Sequence, residues 1–229
     1  MTLFEHDGEY VISMEGKELM HSRSHASESL LGSLGVTELD PDAPGRVLIG
    51  GLGLGFTLKS VLASTGEKVT VEVAEMVTAV IEWNRTHLKR LNGSLLDDPR
   101  VEVKVTDVVQ LIRKAKPESY DAILLDVDNG PSPMVSAGNL SLYSKTGIRA
   151  IARALKPNGR VVVWSAGSDQ GFENRLGKAG FRVEAVPAKA HEGAKGASYL
   201  LYLGDLNRPW SRLTPMVDKQ GDPSPSSNS

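Results

Sequence analysis

From Arg46 onward the chain repeats one unit, a short apolar run followed by a stretch with helical periodicity. This alternation constrains the fold more than any other feature. Strands joined by helical crossovers lie parallel, and a parallel sheet needs helices on both faces to bury it. The strand candidates are 46–50 (RVLIG), 68–75 (KVTVEVAE), 101–105 (VEVKV), 120–126 (YDAILLD) and 160–165 (RVVVWS), then 181–186 (FRVEAV) and 198–203 (SYLLYL). Helices are expected over 57–63, 76–91, around Val109 to Arg113, over 147–155 and over 172–179. In the second of these, Val77, Val80, Ile81, Asn84 and Leu88 share one stripe. The loop between the last two strands, AKAHEGAKGA, is too short for a crossover helix, so that pair should be antiparallel. The expected class is α/β, a doubly wound, seven-stranded, mostly parallel sheet.

The flanking segments read differently. Tyr10 to Met14 alternates like a strand, Glu15-Gly16 marks a turn, and 17–21 can return as its partner. A helix from about Ser27, with its hydroxyl as cap, to Leu34 is then broken by ELDPDAPG. We expect a hairpin-and-helix extension over 1–45, the α/β domain over 46–206, and a C-terminal extension over 207–229. The extension should be disordered from about 221, where QGDPSPSSNS holds no apolar residue.

Composition excludes several functions. The chain has no cysteine, which removes disulfides, thiolate metal sites and cysteine nucleophiles. Its five histidines show no metal-ligand spacing, so no metal is expected. Ser165 lacks the G-x-S-x-G elbow of a hydrolase. The net charge is −2, without the basic surplus that phosphate contacts require, so no nucleic acid partner is expected. The basic cluster Arg85, His87, Lys89 and Arg90 reads as a solvated helix face. No apolar run suits a membrane span, and MTLFEHDGEY is too polar for a signal peptide; no membrane contact and a cytoplasmic location are expected.

Ligands of such sheets lie beyond the carboxyl ends of the strands. There the first strand enters Gly51-Leu52-Gly53-Leu54-Gly55. The dinucleotide pattern G-x-G-x-x-G fails, since its third glycine would be Phe56. The G-x-G-x-G spacing suits the nucleoside of S-adenosylmethionine instead, although a tight strand-to-helix turn would use the same residues. Glu75, 20 positions after Gly55, ends the second strand and can accept both ribose hydroxyls, with Met76 beside it. Glu72 competes, but its flanking valines suggest a helix edge or solvent. Asp107 closes the third strand, where it can accept from an adenine amino group while Val108 packs on the ring. A helix N-cap is a compatible second role for Asp107.

These residues, in VLIGGLGLGFTLKSVL, EMVTAVIEW, DPRVEVKVTDV, YDAILLDVDNGPSP and LKPNGRVVVWS, resemble the class I S-adenosylmethionine-dependent methyltransferase superfamily over roughly 46–204. Within it the chain is most similar to the spermidine-synthase branch. The resemblance implies a Rossmann-like fold, with GKELMHSRSHASESLL at the place of a substrate-gating helix. It implies an Asp-x-x-Asp segment that holds a cationic amine, here Asp126 with Asn129 at the second acid. It also implies pairing as a homodimer through N-terminal strands.

Two departures carry the expected reaction. Asn129 cannot accept a proton, although Asp128 is a substitute acid. The acid that contacts the free amine of decarboxylated S-adenosylmethionine aligns with Leu54. S-adenosylmethionine itself would add a carboxylate, for which Arg23 or His25 offers a cation. The expectation is therefore a methyltransferase acting on a nitrogen or oxygen of a small cationic molecule. Asp126, Asn129 and Glu28 would position the nucleophile, with His25, Asp128 and Trp164 at the substrate. The alternatives are a polyamine aminopropyltransferase and a catalytically silent nucleoside-binding protein. Trp83 is expected to serve helix packing and His191 to sit in a mobile lid.

Overall fold

In a computed structural model of the chain, residues 1–127 and 140–207 are described. The N-terminal part is a three-stranded antiparallel sheet of β1 (Thr2–His6), β2 (Glu9–Met14) and β3 (Lys17–His21), one strand more than expected. Both of its turns, Asp7-Gly8 and Glu15-Gly16, have two consecutive residues at positive φ, the geometry that matches the twist of a tight hairpin. The first helix, α1 (Ala26–Val36), starts one residue before Ser27. Ser27 does not cap it; its hydroxyl donates to the Glu28 carboxylate at 2.5 Å.

The main sheet follows as β4 (Gly45–Gly50), α2 (Phe56–Ser64), β5 (Val69–Glu75), α3 (Thr78–Arg85), α4 (Lys89–Asn92), β6 (Val101–Val105), α5 (Val108–Lys114) and β7 (Tyr120–Leu125). It continues with α6 (Leu140–Tyr143), α7 (Lys145–Ala154), β8 (Leu155–Ser165), α8 (Gln170–Lys178), β9 (Phe181–Ala188) and β10 (Tyr199–Leu206). The order is β6-β5-β4-β7-β8-β10-β9, parallel except where β10 runs antiparallel to β8 and β9. The expected seven-stranded, mostly parallel sheet is therefore present.

Strand periodicity builds its core. Val47 and Ile49 face Leu31, Leu58 and Ile81, while Leu48 faces the opposite layer with Ile112, Ile148 and Phe172. A third cluster of Tyr10, Ile12, Leu54, Phe56 and Leu88 joins the N-terminal sheet to the glycine loop.

Three local expectations are corrected. The single helix over 76–91 is two helices. The chain leaves α-geometry at Thr86 (φ −121°, ψ −83°), whose hydroxyl folds back onto the Glu82 carbonyl at 2.7 Å. The strand expected over 160–165 begins earlier, at Leu155, and takes 155–159 into β8 as an irregularity: Tyr120 pairs with Leu155, Ala122 pairs with Arg160, and Asn158 takes φ +63°. Glu72 faces neither solvent nor a helix edge. It is 5% exposed and accepts from Tyr120 Oη at 2.7 Å and Arg46 Nη2 at 2.9 Å. A buried carboxylate survives only when paired in this way. Burial, and then the hydrogen bond to Glu72, keep the Tyr120 phenol protonated well above its usual range. Tyr120→Phe should therefore cost about 1–3 kcal/mol of unfolding free energy, measured by urea titration at pH 7.

Among the described residues no helix is long and apolar enough to cross a membrane.

Candidate active site

The carboxyl ends of β4, β5 and β7 meet around the glycine loop. Gly51, Gly53 and Gly55 all have positive φ (90°, 50° and 88°). Gly51 matters most, because a Cβ there would lie 2.2 Å from the Asp126 carbonyl oxygen. The Asp126 amide in turn donates to the Gly50 carbonyl at 2.9 Å, so loop and strand end are fixed to each other.

Glu75 holds the loop from the β5 side. One carboxylate oxygen accepts the Leu52 amide at 3.0 Å and the other accepts the Val77 amide at 2.7 Å. Each oxygen keeps a second acceptor position. Met76 stands beside it, 65% exposed, an unusual state for a large apolar side chain. Asp107 caps α5 by accepting the Val109 amide at 2.8 Å, the second role expected for it. Val108 lies in the core, where its side chain would meet a Cβ on Gly50 at 2.9 Å.

Asp126 follows β7. It accepts from Thr57 Oγ1 at 2.8 Å, and that hydroxyl also lies 3.3 Å from the Glu28 carbonyl on α1. Burial raises the Asp126 carboxyl to about 7, the nearby Glu28 charge adds to this, and the Thr57 hydroxyl works against it. Burial also raises Glu28, with Ser27 opposing. Two carboxyls from different elements thus share one partly enclosed region, which disfavours both being ionised. Thr57 escaped the sequence reading, although its position in the first turn after the glycine loop is where such a residue would be sought.

The remaining candidates are dispersed. The His25 ring stacks on Phe56 at 4.4 Å, and its Nδ1 lies 3.3 Å from Ser29 Oγ. Trp164, the second-last residue of β8, packs on Tyr199 at 4.7 Å; its Nε1 has no hydrogen-bond partner among the described residues. The Ala26 amide donates to the Ala190 carbonyl, so the loop containing His191 touches the start of α1. Trp83 packs between two core clusters. Asp128 and Asn129, and nearly all of the 207–229 extension, lie outside the described residues.

Residues 25–171, well over half of the chain, match the family model for the spermine/spermidine synthase domain. The chain belongs to that family. A polyamine aminopropyltransferase of Mycobacterium tuberculosis (strain ATCC 25618 / H37Rv) is 36% identical over 129 residues, 56% of this chain and 24% of that protein. Polyamine aminopropyltransferase 1 of Hyperthermus butylicus is 32% identical over 168 residues, covering 71% of this chain and 55% of its own. The chain thus spans a quarter to about half of the relatives it matches. The spermidine synthase of Thermotoga maritima superposes with a TM-score of 0.63 at 21% identity, over 87% of this chain and 66% of that one, a likeness of fold.

These findings overturn the expected methyltransferase. The family and the named relatives point to the aminopropyl alternative, and the structure gives two of the residues behind the methyl expectation other tasks. Leu54, taken as a missing acid at the donor's tail, is 4% exposed and packs with Tyr10, Ile12, Phe56 and Leu88. Its identity reports packing. Arg23, offered as the cation for a donor carboxylate, is paired with Glu9.

Proposed function

We propose that this chain transfers an aminopropyl group from decarboxylated S-adenosylmethionine to an amine of a small polyamine. The observation that carries the reading is the placement of the Asp126 carboxyl at the end of β7, bonded to Thr57 and beside Glu28 at the glycine loop, where burial raises it to about 7. An amine of usual pKa near ~10 must lose its proton before it can attack, and a carboxylate poised near neutrality is suited to take it.

The residues fit the donor. Glu75 presents unfilled acceptor positions to the two ribose hydroxyls, Met76 offers an apolar surface to the base, and Asp107 can accept from the adenine amino group. For Val108 the buried side chain leaves the main chain to line that end. The three positive-φ glycines let the loop approach the nucleoside closely. In the transfer, the amine nitrogen forms a bond to the aminopropyl carbon as that carbon's bond to sulfur breaks. The sulfonium leaves as neutral methylthioadenosine, and the nitrogen's proton passes to the carboxylate. Alignment of donor and nucleophile alone can supply ~7–11 kcal/mol of the barrier.

On this reading Asp126 faces the reacting nitrogen and Glu28 helps hold the remaining positive charge of the substrate. Asp128 and Asn129 follow Asp126 in the chain and His25 and Trp164 flank the acceptor side. We further propose that the protein works on small molecules as a homodimer.

The decisive measurement is release of methylthioadenosine from the purified protein, with decarboxylated S-adenosylmethionine and a panel of diamines and triamines. Turnover should require the decarboxylated donor and an amine together. Turnover with S-adenosylmethionine, or none with any pair, would contradict the reading.

A further inference from the structure

The break between α3 and α4 aims two buried asparagines at the glycine loop. Asn84 is 4% and Asn92 7% exposed. Asn84 Nδ2 donates to the Gly53 carbonyl at 2.9 Å and to the Val80 carbonyl of its own helix at 2.9 Å. Asn92 Nδ2 donates to the next loop carbonyl, that of Leu54. The packing is close: a Cβ on Gly55 would lie 2.8 Å from Asn84 Oδ1 and 3.1 Å from Asn92 Nδ2.

Two successive carbonyls of the loop are thus held from one side. In a planar trans peptide the carbonyl and the following N–H point in opposite directions. Holding the Gly53 carbonyl toward α3 therefore turns the Leu54 N–H the other way. A loop of alternating glycines has many other backbone states, and ordering each residue costs about 1–2 kcal/mol. The two amides select one of those states before any ligand arrives.

Fold stability gives a poor account of Asn92. Its Oδ1 has no hydrogen-bond partner among the described residues, and an unpaired buried acceptor is unfavourable. Leucine, of similar shape, would remove that unpaired acceptor and leave the Leu54 carbonyl unpaired in its place, a near-even exchange for the fold, so the residue is explained by what its Nδ2 holds.

We propose that Asn84 and Asn92 are positioning residues that keep the glycine loop in its nucleoside-receiving shape, setting donor affinity and leaving the transfer rate unchanged. The inference rests on the assignment of the loop to the donor nucleoside made above.

The test is calorimetric titration of methylthioadenosine into wild type, Asn92→Leu and Asn84→Asp, with melting of each protein in the absence of ligand. Asn92→Leu should melt close to the wild-type temperature yet bind about tenfold more weakly, equivalent to ~1.4 kcal/mol. Asn84→Asp sets a carboxylate against two carbonyls. Its affinity should fall at pH 8 and recover, relative to wild type at the same pH, toward pH 6 as the acid regains a proton to donate. In turnover, KM for the decarboxylated donor should rise with kcat within about twofold. Wild-type affinity in both variants overturns the inference, as does a fall in the melting temperature of Asn92→Leu that matches its loss of affinity. If Asn84→Asp fails to fold, Asn92→Leu decides alone. Absence of binding by wild type would instead refute the proposed function, and this inference with it.

Discussion

Asp126→Asn should lower aminopropyl turnover by about 10²–10⁴-fold while leaving methylthioadenosine affinity within about twofold. The substitution keeps the shape of the side chain and its contact with Thr57 but removes the ability to take a proton. The wild-type rate should rise with pH through about 7, where the Asp126 carboxyl ionises, and this acidic limb should vanish from the residual activity of the variant. Stability should move the opposite way. The carboxyl titrates at about 7 in the fold against 3.8 for an unperturbed aspartate, so the folded state prefers it neutral. Well below pH ~4 it is protonated in both states and has no effect. As pH rises toward 7 the unfolded chain loses this proton first, and the native protein carries a growing penalty. The side chain keeps some accessible surface, which moderates the effect. Asp126→Asn should therefore unfold about 2 kcal/mol less readily than wild type at pH 8, with the gain shrinking by pH 5. Urea titrations at the two pH values measure this. An equal gain at both would show that the charge is not the cause.

Gly51→Ala should have a larger effect on the fold. The added Cβ would sit 2.2 Å from the Asp126 carbonyl oxygen, and φ at this residue is +90°. A left-handed conformation alone costs an L-residue about 1–2 kcal/mol. The contact cannot be relieved by a side-chain rotation, because the obstructing atom is backbone in a strand end that itself bonds to Gly50. A total loss of about 3–5 kcal/mol is expected, read from denaturant midpoints. Nucleoside binding should be lost even where the protein still folds, since relief requires the loop and the Asp126 segment to separate. Gly196→Ala is the control: open space surrounds that position, and stability should change by less than about 1 kcal/mol.

Periodicity made the sheet legible, because buried parallel strands such as 120–125 are nearly continuous apolar runs and their connections are long enough to be helices. The same logic found the carboxyl-end residues Glu75, Asp107 and Asp126, since strand ends follow from strand positions. It failed where one side chain answers to a distant partner. Glu72 looked solvated until Tyr120 and Arg46, far away in sequence, closed around it. The helical stripe through Asn84 and Leu88 was real, yet local hydrogen bonding at Thr86 ended the helix inside it. Leu54 was read as a change of donor chemistry when it answers to packing by Tyr10 and Ile12. Alignment shows which residue type stands at a position; only the fold shows which way it points.

That cluster bears on how the protein can be divided. Tyr10 and Ile12 share their burial with Leu54, Phe56 and Leu88, and α1 supplies Leu31 and Val36 to the main core. The first 45 residues look like an appendage in sequence, but two of the hydrophobic clusters run across the boundary. A fragment beginning at Arg46 would leave one wall of the glycine loop facing water and would also lack Glu28. The smallest unit that keeps both the loop's support and the second carboxyl begins in the N-terminal strands.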